Sequence, residues 1–192
     1  MPLLKDQKDS ESFEIYPQLS PREFNIAEKG HSQSVSEGMH IVLLEPEIPP
    51  NTGNIARLCA ATRTTLHLIE PLGFQLDNKQ LKRAGMDYWR HVTWHKWPNW
   101  ASFYESEGNK GSLWYVESEG KKHYGEASFA PNDYLVFGRE SAGLPQRLLE
   151  QYPEQWVRIP MFHEESRSLN LSNCAALVLY EALRQQGFPH QI

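Results

Sequence analysis

Apolar positions along the chain gather into short blocks set apart by polar stretches rich in proline and glycine. His40–Leu44 (HIVLL), Leu66–Ile69, Leu113–Val116, Tyr134–Phe137 and Trp156–Ile159 are runs of four or five mainly apolar residues. Runs of that length, with little polar alternation, suit strands covered on both faces, as in a parallel sheet. His91–His95 reads as a further strand. Helices are expected at Asn54–Thr62, with Asn51 and Thr52 offering N-cap oxygens, and at Asp77–Ala84, Trp97–Tyr104 and Pro145–Gln151. The longest runs from Leu171 to Gln186 and is stopped by Gly187 and Pro189. Strand and helix alternate throughout, which predicts an α/β domain: a mostly parallel sheet flanked by helices.

Residues 1–38 break this pattern. They are polar and lack sustained periodicity, and Lys29–Gly38 has a linker composition. We expect an N-terminal extension over 1–38 and the folded domain over 39–192. The extension has no apolar core of a signal peptide, and Asp6, Asp9, Glu11 and Glu14 argue against an organellar transit peptide. The last helix departs from the pattern in another way. Cys174, Ala175, Ala176, Leu177, Val178, Leu179, Tyr180, Ala182 and Leu183 point in nearly every direction around its axis. One sheet face buries a single stripe. The other side therefore packs on a second copy of the chain, or else the helix is sandwiched within one copy.

Composition narrows the class. With 192 residues, 40% hydrophobic and 22% charged, the chain is one globular domain rather than a disordered one. The longest uninterrupted apolar run, Cys174–Tyr180, is too short to cross a membrane. Two cysteines, Cys59 and Cys174, form neither a disulfide framework nor a zinc knuckle, which suits a reducing, cytoplasmic setting. The net charge is −5, with four basic and seven acidic residues in 1–38 and fifteen and seventeen in the remainder. No general basic excess exists, so a nucleic-acid site must be a local patch.

Several common signatures are missing. There is no Gly-x-Gly fingerprint, no P-loop and no Gly-x-Ser-x-Gly elbow. His163–Arg167 (HEESR) lacks the second histidine of a metalloprotease. His91 and His95 have helical ligand spacing but fall in an expected strand with no third ligand nearby, so no metal is expected.

Three segments are richer than structure alone requires. In Glu45–Arg57 (EPEIPPNTGNIAR), residues 51–54 place amides and backbone N–H groups at a positive helix end, where an anion or ribose hydroxyl fits. Arg57 adds a planar fork suited to phosphate. An ordinary capped helix with a solvated arginine explains the same residues. In Phe137–Pro145 (FGRESAGLP), Gly138 ends a buried strand where a ligand could come close to the backbone, Glu140 supplies an anion and Gly143 permits a second bend. A plain strand-to-helix turn is the alternative. In the third, Ile159–Met161 precedes Ser166–Asn173, where Ser168, Asn170, Ser172 and Asn173 crowd before an apolar helix. One would suffice as a cap, and the surplus points to a polar pocket.

These three segments, in this order, resemble the motifs of the SPOUT superfamily of RNA methyltransferases, and most closely the TrmL-type tRNA (cytidine/uridine-34 2′-O)-methyltransferases. Ile69–Phe74 (IEPLGF), Lys82–Tyr88 (KRAGMDY) and Ser166–Glu181 share in the likeness, which runs from Met39 to Pro189. The resemblance implies a C-terminal trefoil knot, a homodimer, and S-adenosylmethionine as cofactor, with S-adenosylhomocysteine as product. It implies 2′-O-methylation of the wobble nucleotide, C or U at position 34, of leucine tRNA isoacceptors, without DNA, membrane or metal. Carried over residue by residue, Val116, Gly138, Glu140, Ile159, Met161, Ser168 and Asn170 would hold the cofactor, and Asn51, Arg57 and Tyr180 would serve substrate and catalysis. Arg57, Lys82, Arg83 and Arg90 would form the RNA surface. One departure stands out: the loop Phe162–Ser166 is a residue longer than the family pattern. Other functions compatible with the residues are methylation of a different tRNA or rRNA nucleotide, and RNA binding without catalysis.

Overall fold

In a computed structural model, residues 38–75, 89, 91–163 and 168–189 are described. The expected helix at 77–84 and the basic positions Lys82, Arg83 and Arg90 lie outside these. Seven strands build one sheet: β1 (His40–Leu44), β2 (Thr65–Ile69), β3 (Trp94–Trp97), β4 (Leu113–Val116), β5 (Lys122–His123), β6 (Tyr134–Phe137) and β7 (Trp156–Arg158). Their spatial order is β3-β2-β1-β6-β4-β7-β5, and every neighbouring pair is parallel. Among the described residues four α-helices accompany them: α1 (Pro49–Thr62), α2 (Trp100–Glu107), α3 (Gln146–Gln151) and α4 (Leu171–Gln185).

The continuous apolar runs have the expected cause, since the central strands are covered on both faces. On β1, Ile41 and Leu43 join a core with Ile55, Ala56 and Cys59 of α1 and Ala175, Val178, Leu179 and Ala182 of α4. Val42 and Leu44 point the opposite way, into a core with Trp100 and Phe103 of α2 and Leu148 and Leu149 of α3. Met39, just before β1, is already buried.

Three expectations shift. β3 lies at Trp94–Trp97 rather than His91–His95. It is a sheet edge, paired on one side only, so its exposed His95 and Lys96 cost little and apolar continuity does not mark it. α2 starts three residues later than expected because Asn99 caps it, accepting from Ser102 N at 2.9 Å. α1 begins at Pro49, not Asn54. Its two prolines occupy first-turn positions that need no N–H, and Asn51 and Thr52 lie inside the helix instead of capping it. The two-residue strand β5 carries no hydrophobic signal and was not expected from the pattern.

α4 starts at Asn170, whose Oδ1 accepts from Ser172 N at 2.9 Å, and ends before Gly187, where φ is 72°. One side of α4 is buried against the sheet and α1. On the other side Leu177 is 42% exposed and Tyr180 49% exposed. Within one chain the helix therefore covers a single apolar side. Among the described residues no helix is long and apolar enough to cross a membrane.

On β1 and β2, two buried histidines, His40 and His67, share a hydrogen bond. Trp97 Nε1 donates to His67 Nδ1 at 3.1 Å. The imidazole proton of His67 is thereby placed on Nε2, which faces His40 Nδ1 at 3.0 Å. His40 stacks on Tyr134, ring centres 4.2 Å apart, and the Tyr134 hydroxyl donates to Glu107 at 2.9 Å. Burial pushes His40 down to about 4; burial, with His40 beside it, pushes His67 down to about 3. Folded, both rings stay neutral where an unfolded histidine would take a proton. Stability from this pair is therefore complete above about pH 6.5 and is lost as pH falls toward the folded values. We expect urea stability to drop between pH 7 and pH 5 by about 2 kcal/mol for either ring taken singly. His67→Gln, which can keep a donor and an acceptor without titrating, should remove one ring's share of that dependence and leave that of His40.

Candidate active site

The carboxyl ends of parallel strands are where an α/β sheet opens toward ligands. Here the ends of β4, β6 and β7 and the first turns of α1 and α4 enclose a cavity of about 430 Å³. Eight positions singled out from the sequence line it together: Asn51, Val116, Gly138, Glu140, Ile159, Met161, Ser168 and Asn170. Arg57 and Tyr180 do not line it. Arg57 is exposed on α1. Tyr180, on α4, borders a second cavity of about 330 Å³ with Thr62, Arg63, Leu183 and Phe188.

At α1 the wall is held by a distant carboxylate and not by the expected Asn51 or Thr52 cap, whereas α4 has its side-chain cap in Asn170. Glu140 accepts from the backbone N–H of Glu47 at 2.8 Å, from that of Ile48 at 3.3 Å, and from Asn51 Nδ2 at 3.0 Å. A carboxylate thus serves the amino end of α1, where charge and helix dipole agree. Glu47 answers in the opposite direction, accepting from Ser141 N and Ser141 Oγ, each at 2.9 Å. Asn51 Oδ1 accepts from Asn170 Nδ2 at 2.9 Å. One chain of hydrogen bonds, Glu140–Asn51–Asn170, therefore joins all three segments that drew attention in the sequence. The surplus of small polar residues before α4 is partly explained as well: Asn170 caps the helix and Ser172 Oγ donates to it at 2.6 Å, while Ser168 stands at the rim.

Gly138 lines the cavity, and it also has a steric reason to be glycine. A Cβ there would lie 2.1 Å from the carbonyl carbon of Gly143, because the chain returns on itself. Arg139 N donates to Gly143 O at 3.2 Å, and Gly143 N to Arg139 O at 2.8 Å. Gly143 adopts φ 67°, the left-handed region that glycine enters without strain. Arg139 is ion-paired with Glu45, a buried residue just beyond β1.

Sequence reasoning passed over Glu47, Ser141 and Glu117. Glu47 and Ser141 lay inside segments already marked, yet nothing in either segment says that they bond each other. Glu117 directly follows Val116 at a strand end, and that position was its only signal. Cys174 also lines the cavity, and burial pushes its thiol up, so it contributes a neutral, weakly polar wall. Among the described residues no group of three metal-ligating side chains comes together. His95 instead stacks on His67, ring centres 5.4 Å apart.

Such a cavity suits a ligand with an apolar, flat part and a polar, charged part. Val116, Ile159, Met161 and Leu171 supply the apolar wall; Asn51, Glu117, Ser118 and Ser168 supply hydrogen-bonding groups. This is the site of a parallel α/β protein that takes a nucleoside-like molecule at its strand ends. The SpoU rRNA Methylase family matches residues 38–180, and the chain belongs to that family. It is 52% identical over 152 residues to the tRNA (cytidine(34)-2′-O)-methyltransferase of Saccharophagus degradans, covering 78% of this chain and 96% of the relative. A solved structure from work on 2-OH methylation of C/U34 on tRNA superposes with a TM-score of 0.74 at 43% identity, covering 79% of this chain and 97% of that one. The SpoU methyltransferase AviRb of Streptomyces viridochromogenes, in complex with the cofactor AdoMet, superposes with a TM-score of 0.67 at 25% identity, covering 80% and 60%. Enzymes of this family use S-adenosylmethionine, and the mixed apolar and polar lining described above fits its adenosine and amino-acid parts.

Asn51→Asp would set a carboxylate against Glu140 in place of an amide donor. We expect it to cost about 1–3 kcal/mol of stability and to weaken S-adenosylhomocysteine binding, read by thermal unfolding and calorimetry.

Proposed function

We propose that this chain transfers a methyl group from S-adenosylmethionine to the ribose 2′-oxygen of the wobble nucleotide, C or U at position 34, of tRNA, with leucine isoacceptors as substrates. The observation that carries this reading is the match, 52% identical over 152 residues, along nearly the whole length of the Saccharophagus degradans enzyme. The methyltransferase unit is residues 39–192, with 1–38 as an extension, and the enzyme works in the cytoplasm as a homodimer.

S-adenosylmethionine, when bound, supplies an electrophilic methyl group on a sulfonium sulfur. The protein must hold the 2′-oxygen in line with it and exclude water. Val116, Ile159 and Met161 grip the apolar part of the cofactor and Ser168 its polar part, while Asn170, its amide shared between Asn51 and Ser172, sets the wall beside it. Asn51 has both ends of its amide committed to protein partners, so it acts by fixing the two loops around the reacting groups. Arg57 carries a guanidinium, which offers N–H donors and no acceptor for a proton. It holds an RNA phosphate and steadies developing charge rather than removing the ribose proton. The second copy covers the exposed side of α4, where Leu177 and Tyr180 stand, and Tyr180 meets RNA near that boundary.

Arg57→Ala should retain cofactor affinity in calorimetry and lose methyl transfer to tRNA by about a hundredfold or more, the scale of a lost charge-stabilising contact. Wild-type turnover by this variant would remove Arg57 from the mechanism. The reading as a whole is tested by nucleoside analysis of tRNA from a strain lacking the gene. A 2′-O-methylated nucleoside should vanish from position 34 and return on complementation; an unchanged position 34 would overturn the assignment.

A further inference from the structure

Glu117 enters the cavity at the end of β4, where its backbone N–H donates to Val157 O of β7 at 3.0 Å. Its side chain is held in place from two sides. Oε2 accepts from Leu144 N at 2.9 Å, and Oε1 accepts from Ser118 N at 2.8 Å and Ser118 Oγ at 3.1 Å. A Cβ on Gly143 would fall 2.2 Å from Oε2, so the 138–144 loop closes over the carboxylate only because residue 143 has no side chain. Glu140 lines the same cavity. Arg139 is the one cationic side chain among the described lining residues, and it is ion-paired with Glu45. With Arg139 neutralised by Glu45, the two lining carboxylates Glu117 and Glu140 leave the described wall with a formal surplus of negative charge, and Glu117 is fastened by neutral N–H and O–H donors.

We propose that Glu117 makes the cavity charge-selective, favouring the methyl donor over the spent product. The proposal rests on the assignment of the cavity to S-adenosylmethionine and needs no RNA. The donor carries a sulfonium and an ammonium against one carboxylate, a net charge of about +1 near neutral pH; S-adenosylhomocysteine has a thioether and is about neutral. The two molecules have nearly the same shape, so apolar contacts and hydrogen bonds scarcely distinguish them. A fixed carboxylate in a partly desolvated cavity does, because its attraction for the donor has no counterpart in the product. Loss of the sulfonium charge on methyl transfer then weakens the ligand that must leave.

A purely structural role for Glu117, as a staple on the 138–144 loop, would act on both ligands alike. The test is calorimetry of the full chain with S-adenosylmethionine and with S-adenosylhomocysteine, on wild type, Glu117→Gln and Glu117→Asp. Glu117→Gln should weaken the donor about tenfold and the product by no more than about twofold, whereas Glu117→Asp should keep the wild-type ratio. Equal weakening of both ligands, or no change in either, would overturn the proposal. Should Glu117→Gln fail to fold, wild type decides. Raising salt from about 50 to about 500 mM should weaken the donor more than the product, and parallel salt dependence would overturn it. Wild-type protein that holds neither ligand would remove the assignment of the cavity and the charge preference with it, a result distinct from binding both equally.

Discussion

The architecture of the site depends on one carboxylate. Glu140 accepts two backbone N–H groups at the start of α1 and the amide of Asn51, and so ties the loop after β6 to the loop after β1. The first amides of a helix have no partner of their own, and both prolines there donate nothing. A helix opened by Ile48 and two prolines has no side-chain cap. Its cap comes from 92 positions away in the chain. Without Glu140, the amino end of α1 and Asn51 would each keep polar groups turned into a half-buried cleft, at a cost of about 1–3 kcal/mol for each group left unsatisfied.

From that anchor the remaining geometry follows. Asn51 is oriented by Glu140 and in turn orients Asn170, which caps α4. The three loops that make the cavity are therefore joined by a line of neutral amides ending in a charge, above an apolar floor that packs into the core. This explains why small polar residues recur at strand ends that are otherwise bounded by Ile, Val and Phe. It also separates roles: residues committed to this line position the cleft, while Arg57 and Tyr180 project elsewhere on α1 and α4.

Much of the fold was legible in the sequence because buried parallel strands announce themselves. β1, β4 and β6 fall on the predicted apolar runs, and the stop of α4 at Gly187 was readable from residue type alone. What escaped was decided by distant partners. β3 is displaced because an edge strand tolerates His95 and Lys96, and β5 is too short to carry a pattern. The start of α1 was misplaced because Asn51 has the chemistry of a cap but spends its amide on Glu140 and Asn170. The eight lining positions were found as three separate surpluses of polar and glycine residues, yet the bond of Glu47 to Ser141 and the turn of Glu117 into the cavity depend on loop closure that spacing does not encode.

The strand order has a consequence for how the chain is made. β1 is central, and its second neighbour is β6, with His40 opposite Tyr134. During synthesis β2 can pair at once on one side, but the other flank of the most apolar strand stays open until residues beyond 134 leave the ribosome. Such pairing across a long separation is slow to form. The nascent chain must therefore carry an unsatisfied strand edge for about half of its translation, the period in which a chaperone or a neighbouring nascent chain would find it.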